Sequence, residues 1–251
     1  MAQPSIGAMP AWAPPRRRRL YLMRHGSVDY FLPDGSPVHP HTVALNEAGL
    51  AQAAAAGRLF RQAGVRFDRV VASGLARTVE TAECVLRAAG LAGLEIGRDP
   101  RLEEIRPGRL AGLPEEHLQA AFLDAFDSTV GGEQLRFLGG ETVGALLDRC
   151  LPAFEALLDE PGWRCALLVL HGGVNRALLG RMLCGGRHFL GRLEQSPGCI
   201  NVIDCALAGS AVPFVVRALD LAPTQLLHDR EQSTTMEQLL AQYLVARAVP
   251  R

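Results

Sequence analysis

Short apolar runs alternate with helical patterns along most of the chain, and this alternation predicts its fold. The continuous apolar run at 166–170, flanked by turn residues, predicts a buried strand. Alternating strands and helices are typical of βαβ units around a largely parallel sheet. The same patterns predict further strands at 20–23, 68–72, 199–206 and 213–219, and helices at 47–64, 75–89, 141–159 and 235–246, with one more beginning near 174.

Cap and turn residues indicate where several of these elements begin or end. Asn46 precedes an alanine-rich amphipathic stretch and predicts a helix N-cap, and Gly90 predicts the end of the second helix. Pro152 lies inside the third predicted helix, where it predicts a kink or a break. The stretches 105–140 and 220–233 show no clear pattern and receive no assignment.

The length of 251 residues and the apolar content of 48% are sufficient for one substantial core. We therefore expect one catalytic domain over residues 20–251. Residues 1–19 are rich in Pro, Ala and Gly and end in Arg16–Arg19, which predicts a disordered arm. The four arginines either contact an acidic partner or form a solvated charge run, and the second interpretation is favoured.

Charge and cysteine content exclude several classes of function. Because 26 basic residues balance 26 acidic ones, no overall field attracts nucleic acid or an anionic membrane, and we expect neither as a partner. No apolar run approaches the ~20 residues that span a bilayer, and the N-terminus does not resemble a signal peptide. A soluble, cytoplasmic protein is the resulting expectation. The six cysteines form no CxxC pair, which favours small buried hydrophobes over disulfides or a metal site.

Polar and charged side chains follow three of the predicted strands. They lie in Arg24-His25-Gly26, in Ser73-Gly74-Leu75-Ala76-Arg77 and in His171-Gly172-Gly173. Because ligands of open α/β sheets bind beyond the carboxyl ends of the strands, we expect one pocket to collect these residues. Helix N-termini at this edge add N–H donors that favour an anion. Two arginines and two histidines in one pocket also need a counter-charge, which a bound phosphate supplies.

These residues resemble the signature motifs of the histidine phosphatase superfamily, which includes cofactor-dependent phosphoglycerate mutases and many small-molecule phosphatases. The resemblance begins at the Arg-His-Gly signature and covers approximately residues 20 to 219. It implies a three-layer α/β/α sandwich with a largely parallel central sheet. The other matching motifs, in the family's order, are Leu45–Ala53, Ala72–Thr78, Arg101–Ile105, Gly139–Thr142 and Leu170–Val174.

The resemblance implies that His25 is the nucleophile that accepts the phosphoryl group. Neighbouring positive charge favours its neutral form, and its other ring nitrogen must donate to an acceptor that the sequence does not identify. A phosphoryl transition state spreads charge over its oxygens, so positioned cations replace a metal, and we expect no metal and no cofactor. The groups expected to hold the phosphoryl oxygens are Arg24, Arg77, His171 and the helix N-terminus at Gly172.

Glu104 is implied to be the proton donor, because the family's acid follows a Leu-x-Glu spacing and Glu104 follows Leu102 in that way. It would protonate the leaving alkoxide and then activate water. Glu103 remains the alternative acid. Ser27 either donates a hydrogen bond to the substrate or is only a turn residue.

The chain departs from the glycolytic mutases directly after the signature. It reads Ser27-Val28-Asp29-Tyr30, where those mutases carry Glu/Gln-Ser-x-x-Asn. The departure favours a phosphatase that transfers the phosphoryl group of a small phosphorylated metabolite to water. A mutase, and a family member that binds phosphorylated ligands without turnover, stay open as alternatives. A homodimer stays open as well.

His39 and His41 form an unusual insertion close behind the signature. We interpret the insertion as a loop over the pocket, which acts either as a lid or as plain surface. Four further residues stay open between contact with the substrate and solvation at a helix surface: Arg109, Arg136, Asn175 and Arg176.

Overall fold

A computed structural model describes residues 16–32, 36–108, 114–127, 132–206, 213–229 and 232–248. Its strands are β1 (Arg17–Arg24), β2 (Arg69–Ala72), β3 (Gly97–Arg98), β4 (Cys165–Leu170), β5 (Ile200–Ala206) and β6 (Phe214–Leu221). They form one six-stranded sheet in the order β3-β2-β4-β1-β5-β6. The strand pairs β1–β4, β2–β4 and β2–β3 are parallel, whereas β5 is antiparallel to both of its neighbours. The largely parallel sheet expected from the sequence is therefore confirmed.

Helices cover both faces of this sheet. Those of the described residues are α1 (Glu47–Gln62), α2 (Ala76–Ala89), α3 (Glu115–Leu123), α4 (Val143–Asp159), α5 (Gly172–Cys184) and α6 (Thr235–Ala248). Successive strand residues point to opposite faces. Met23 packs with the apolar residues of α1 and α2, and Leu22 packs with those of α4 and α5. The three-layer α/β/α sandwich is confirmed.

The predicted helix ends are confirmed where a cap residue marks them. The Asn46 side chain accepts a hydrogen bond from the Gly49 N–H at 2.9 Å, as an N-cap does. Gly90 follows α2 with a φ of 74°, a left-handed conformation that favours glycine.

The predicted boundary of the N-terminal arm is wrong. The first strand begins at Arg17 rather than at residue 20, because Arg17–Arg19 pair with β5. The Arg18 guanidinium lies 3.9 Å over the Trp163 ring, so its charge stacks on an aromatic surface. These arginines are part of the sheet rather than of a solvated arm. Residues 1–15 of the predicted arm lie outside the described residues.

Of the kink or break predicted at Pro152, the break does not occur, since α4 runs from Val143 to Asp159 with Pro152 inside it. Pro152 and Asp148 are both exposed, so water can satisfy the Asp148 carbonyl that loses its donor. The unassigned stretch 105–140 contains α3.

All six cysteines are free. Four are buried, as expected of small hydrophobes, and burial raises the pKa of one of them, Cys150, to about 12. The prediction is wrong for Cys184, which is exposed, and Cys165 is only half-buried. Residues 207–212, which join β5 to β6, and Arg109 lie outside the described residues. Within the described ranges, no helix is both long and apolar enough to cross a membrane.

Candidate active site

The three polar turns meet at one edge of the sheet, as the sequence predicts. Arg24 lies in register with Leu170, and Ala72 lies in register with Val169. The residues that follow these strands are therefore neighbours, and the rings of His25 and His171 lie 5.2 Å apart between centroids. The edge carries two histidines beside the N-terminus of α5.

His25 is held in one tautomer. Its side chain is only 2% exposed, and its Nδ1 donates to the Gly26 carbonyl at 2.7 Å. Burial, followed by the charges of Arg77 and Arg24, holds the pKa of His25 well below its usual value. The ring is therefore neutral, with the lone pair on Nε2. The acceptor missing from the sequence analysis is the backbone carbonyl of Gly26.

The signature loop is packed tightly against the start of α1. A Cβ atom on Gly26 would lie 2.5 Å from the Gly49 carbonyl oxygen, and a Cβ on Gly49 would collide with the Ser27 carbonyl. Only two glycines allow the backbones to approach this closely. The Asn46 N-cap and Gly49 thus support the loop that carries His25.

Ser27 is fixed mainly through its backbone. Its N–H donates to Gln52 Oε1 at 2.8 Å, and its carbonyl accepts from the Asn46 N–H at 3.1 Å. The half-buried hydroxyl accepts a long hydrogen bond of 3.5 Å from Asn46 Nδ2. These contacts hold the backbone of Ser27 in place, and a bond from its hydroxyl to the substrate stays a prediction.

Arg77 connects the nucleophile to the loop behind the signature. This buried guanidinium donates from Nε to His25 Nε2 at 3.3 Å and from Nη1 to the Pro40 carbonyl at 2.8 Å. Pro40 lies between two exposed residues, His39 and His41, whose rings are stacked. The histidine insertion is therefore tied to Arg77 through its backbone, and a role as a lid stays a prediction.

Arg24 and His171 each carry a buried nitrogen that has no hydrogen-bond partner among the described residues, Arg24 Nε and His171 Nδ1. Arg24 Nη1 donates to the Gln195 carbonyl, which fixes the guanidinium from one side. His171 Nε2 lies 2.8 Å from the Ser73 hydroxyl. The pKa of His171 is held well below its usual value, mainly by burial and next by the charge of Arg77. Sequence reasoning missed the role of Ser73, although it lies in the quoted motif.

Glu104 lies at the N-terminus of α5. Its carboxylate accepts from the Gly173 N–H at 3.1 Å and from the Ile105 N–H at 2.9 Å. Arg149 fixes the local backbone by donating to the carbonyls of both Glu103 and Glu104. The carboxylate beside the His171-Gly172-Gly173 turn is therefore that of Glu104.

The other residues left open by the sequence differ in their surroundings. Arg136 is exposed and donates to the Gly140 carbonyl at 2.8 Å. Asn175 is fully buried and donates to Gln195 Oε1 at 3.1 Å. Arg176 is 3% exposed, so solvation at a helix surface does not explain it.

Comparison with known proteins links this arrangement to one family. The sequence model of the histidine phosphatase superfamily (branch 1) matches residues 20–215. A 2,3-bisphosphoglycerate-dependent phosphoglycerate mutase from Methylobacterium radiotolerans is 33% identical over 175 residues, which are 64% of this chain and 77% of the mutase. A corresponding mutase from Nitrobacter hamburgensis is 30% identical over 182 residues, which are 64% of this chain and 79% of the mutase.

Solved structures of phosphatases share the fold. A mycobacterial glucosyl-3-phosphoglycerate phosphatase superposes with a TM-score of 0.64 at 25% identity, and the match covers 82% of this chain and 99% of that one. The alpha-ribazole phosphatase of Shigella flexneri superposes with a TM-score of 0.62 at 23% identity, and the match covers 80% of this chain and 96% of that one. At this identity the likeness indicates the fold alone.

Proposed function

The chain belongs to the histidine phosphatase superfamily, and on that premise we propose that it hydrolyses small phosphomonoesters through a phosphohistidine at His25. The observation that carries the proposal is the bond from His25 Nδ1 to the Gly26 carbonyl. It leaves the lone pair on Nε2, the nitrogen that faces the Arg77 guanidinium. A neutral imidazole beside these arginines offers a lone pair on Nε2, once Arg77 turns to the substrate, and a cationic surrounding for the phosphoryl oxygens.

The first step of the proposed reaction forms an N–P bond at His25 Nε2 and breaks the P–O bond to the alcohol. The leaving oxygen takes a proton from Glu104. In the second step, Glu104 takes a proton from water, which attacks the phosphohistidine and releases inorganic phosphate. The proposed first step uses the protonated form of Glu104, and the second step restores it.

The phosphoryl oxygens bind to donors that have no other partner in the described structure. Arg24 Nε and His171 Nδ1 are both buried without one. His171 Nε2 lies 2.8 Å from the Ser73 hydroxyl. In the tautomer in which this hydroxyl donates to Nε2, the ring proton is on Nδ1 and can be donated to the substrate. Arg77 Nε, which now donates to His25 Nε2, turns to an oxygen of the substrate and frees the lone pair. The N-terminus of α5 at Gly172 adds the positive end of its dipole.

We further propose that the reaction needs no metal ion. Arg24 and Arg77 carry permanent charge with a planar arrangement of donors that suits phosphate. Among the described residues, no group of three or more His, Cys, Asp or Glu side chains has the arrangement of a metal site. The cations that stabilise the transition state are then the protein's own.

Mutase activity is the second candidate, because curated relatives about 30% identical are 2,3-bisphosphoglycerate-dependent phosphoglycerate mutases. A mutase must return the phosphoryl group of its enzyme to a second phosphorylated molecule before water attacks. The segment Ser27-Val28-Asp29-Tyr30 differs from that of the glycolytic mutases, and this departure favours water as the acceptor.

A panel of phosphorylated metabolites, assayed with EDTA present, tests the proposal. We expect release of inorganic phosphate from at least one small phosphomonoester by the natural chain and none by His25→Ala. Phosphoglycerate isomerisation faster than phosphate release would favour the mutase instead. Phosphate binding without turnover of any compound would indicate a binding protein.

A further inference from the structure

Arg176 lies in α5, one helical turn beyond Gly172, and its guanidinium approaches the anion pocket. A Cβ atom on Gly172 would lie 3.0 Å from Arg176 Nη1 and 3.5 Å from Arg24 Nε. The two guanidinium groups therefore lie close together on the side of Gly172 that lacks a side chain. That side belongs to the first residue of α5, where the dipole of the helix is positive.

The described structure balances the charge of Arg176 only in part. Its nearest carboxylate is Glu194, at 3.5 Å from Arg176 Nη2, and Glu194 also accepts a hydrogen bond of 2.9 Å from the Thr235 hydroxyl. Arg176 Nε is buried and has no hydrogen-bond partner among the described residues, as is the case for Arg24 Nε. Burial lowers the pKa of Arg176. The carboxylates of Glu194 and Glu104 oppose this effect, whereas repulsion by Arg24 adds to it.

The buried guanidinium of Arg176 and the half-buried one of Arg24 are costly side by side unless anions balance both charges. The ring of Phe126, 5.2 Å from the Arg176 guanidinium, covers one of its faces but carries no charge. A bound phosphoryl group would supply the missing negative charge and acceptors for the free nitrogens.

We propose that Arg176 is a third guanidinium of the phosphoryl pocket, which stabilises the bound anion beside Arg24 across Gly172. The inference rests on the proposed function and adds a phosphate-binding residue to it. It also gives a reason for glycine at position 172, since a side chain there would push Arg176 away from Arg24.

The competing explanation is that Arg176 only anchors Glu194, which in turn holds Thr235 at the start of α6. The two explanations differ in what Glu194→Gln and Arg176→Gln should change. If Arg176 acts on the anion, loss of the competing carboxylate strengthens phosphate binding or leaves it unchanged. If Arg176 is only an anchor, Glu194→Gln and Arg176→Gln lower the thermal stability of the protein alike.

Calorimetric titration with inorganic phosphate separates the two explanations. We expect Arg176→Gln to weaken binding roughly 10- to 100-fold, the value of a hydrogen bond to a charged group, and Arg176→Lys to lose much less. The matched control is Arg181→Gln, which removes a half-exposed cation of the same helix that is paired with Glu155. We expect the phosphate affinity of this control to equal that of the natural chain.

Thermal denaturation shows which variants are folded. If Arg176→Gln does not fold, Arg176→Lys and Glu194→Gln carry the test, and weaker phosphate binding by a folded Glu194→Gln overturns the inference. A folded Arg176→Gln that binds phosphate as tightly as the natural chain overturns it too, while the proposed function stands. If the natural chain neither binds phosphate nor releases it from any substrate, the proposed function fails as well.

Discussion

Replacing Gly173 by alanine should displace the Glu104 carboxylate from the N-terminus of α5. An added Cβ atom would lie 2.5 Å from Glu104 Oε1, well inside van der Waals contact. Gly173 lies within a helix, so alanine does not strain the backbone there. The carboxylate must therefore move by about 1 Å, which also breaks its hydrogen bonds with the Gly173 N–H.

The size of the effect follows from the proposed role of Glu104. A displacement of about 1 Å typically costs ~10²-fold in rate, and a positioned general acid contributes ~10²–10⁴-fold. We therefore expect Gly173→Ala to lose about 10²-fold on an alkyl phosphate, whose leaving alkoxide needs a proton. A nitrophenyl phosphate expels a stabilised anion and should lose much less.

Single-turnover phosphorylation of the enzyme is the appropriate assay, because Glu104 also activates water in the second step. Glu104→Gln should show the same preference for the nitrophenyl leaving group, with a loss of ~10²–10⁴-fold on the alkyl substrate. Glu103→Gln is the control and should show little selectivity. Adding Gly173→Ala to Glu104→Gln should cost little more than Glu104→Gln alone. Equal losses for both leaving groups, or additive losses in the double variant, would refute this reasoning.

Three other predictions concern the metal, the acceptor and pH. EDTA should leave the rate unchanged, and restoration of a lost activity by zinc or magnesium would contradict the arginine-based site. Added 2,3-bisphosphoglycerate should not make phosphoglycerate interconversion faster than phosphate release, as product analysis can check. Because burial holds the pKa of His25 and of His171 well below the usual value, the unfolded chain takes up protons first as pH falls below about 6.5. The free energy of unfolding should then fall by about 1.4 kcal/mol per pH unit for each ring. Chemical denaturation at several pH values should show that this free energy depends less steeply on pH in His25→Gln than in the natural chain.

Much of the fold could be predicted because its signals are local. A continuous apolar run is sufficient to indicate β4, and the Asn46 and Gly90 caps mark helix ends through their own chemistry. The first three residues of β1 could not be predicted in this way. Arg17–Arg19 are polar in sequence, and only pairing with β5 makes them a strand.

The meeting of the three polar turns could be predicted because strand ends share one edge of the sheet, but two backbone contacts could not. The Gly26 carbonyl sets the tautomer of His25, and the Pro40 carbonyl holds Arg77. A carbonyl has no residue-type signature, so only the folded backbone identifies it. The position of Arg176 beside Arg24 depends on tertiary packing for the same reason.

Trapping of the phosphoenzyme tests the central claim most directly. The natural chain, mixed with a radiolabelled substrate and quenched within one turnover, should carry an acid-labile, base-stable label that peptide mapping assigns to His25. His25→Ala should carry none, and a thermal denaturation curve close to that of the natural chain would show that it is folded. A label on a serine or cysteine, or an undiminished label in a folded His25→Ala, would contradict the proposed mechanism.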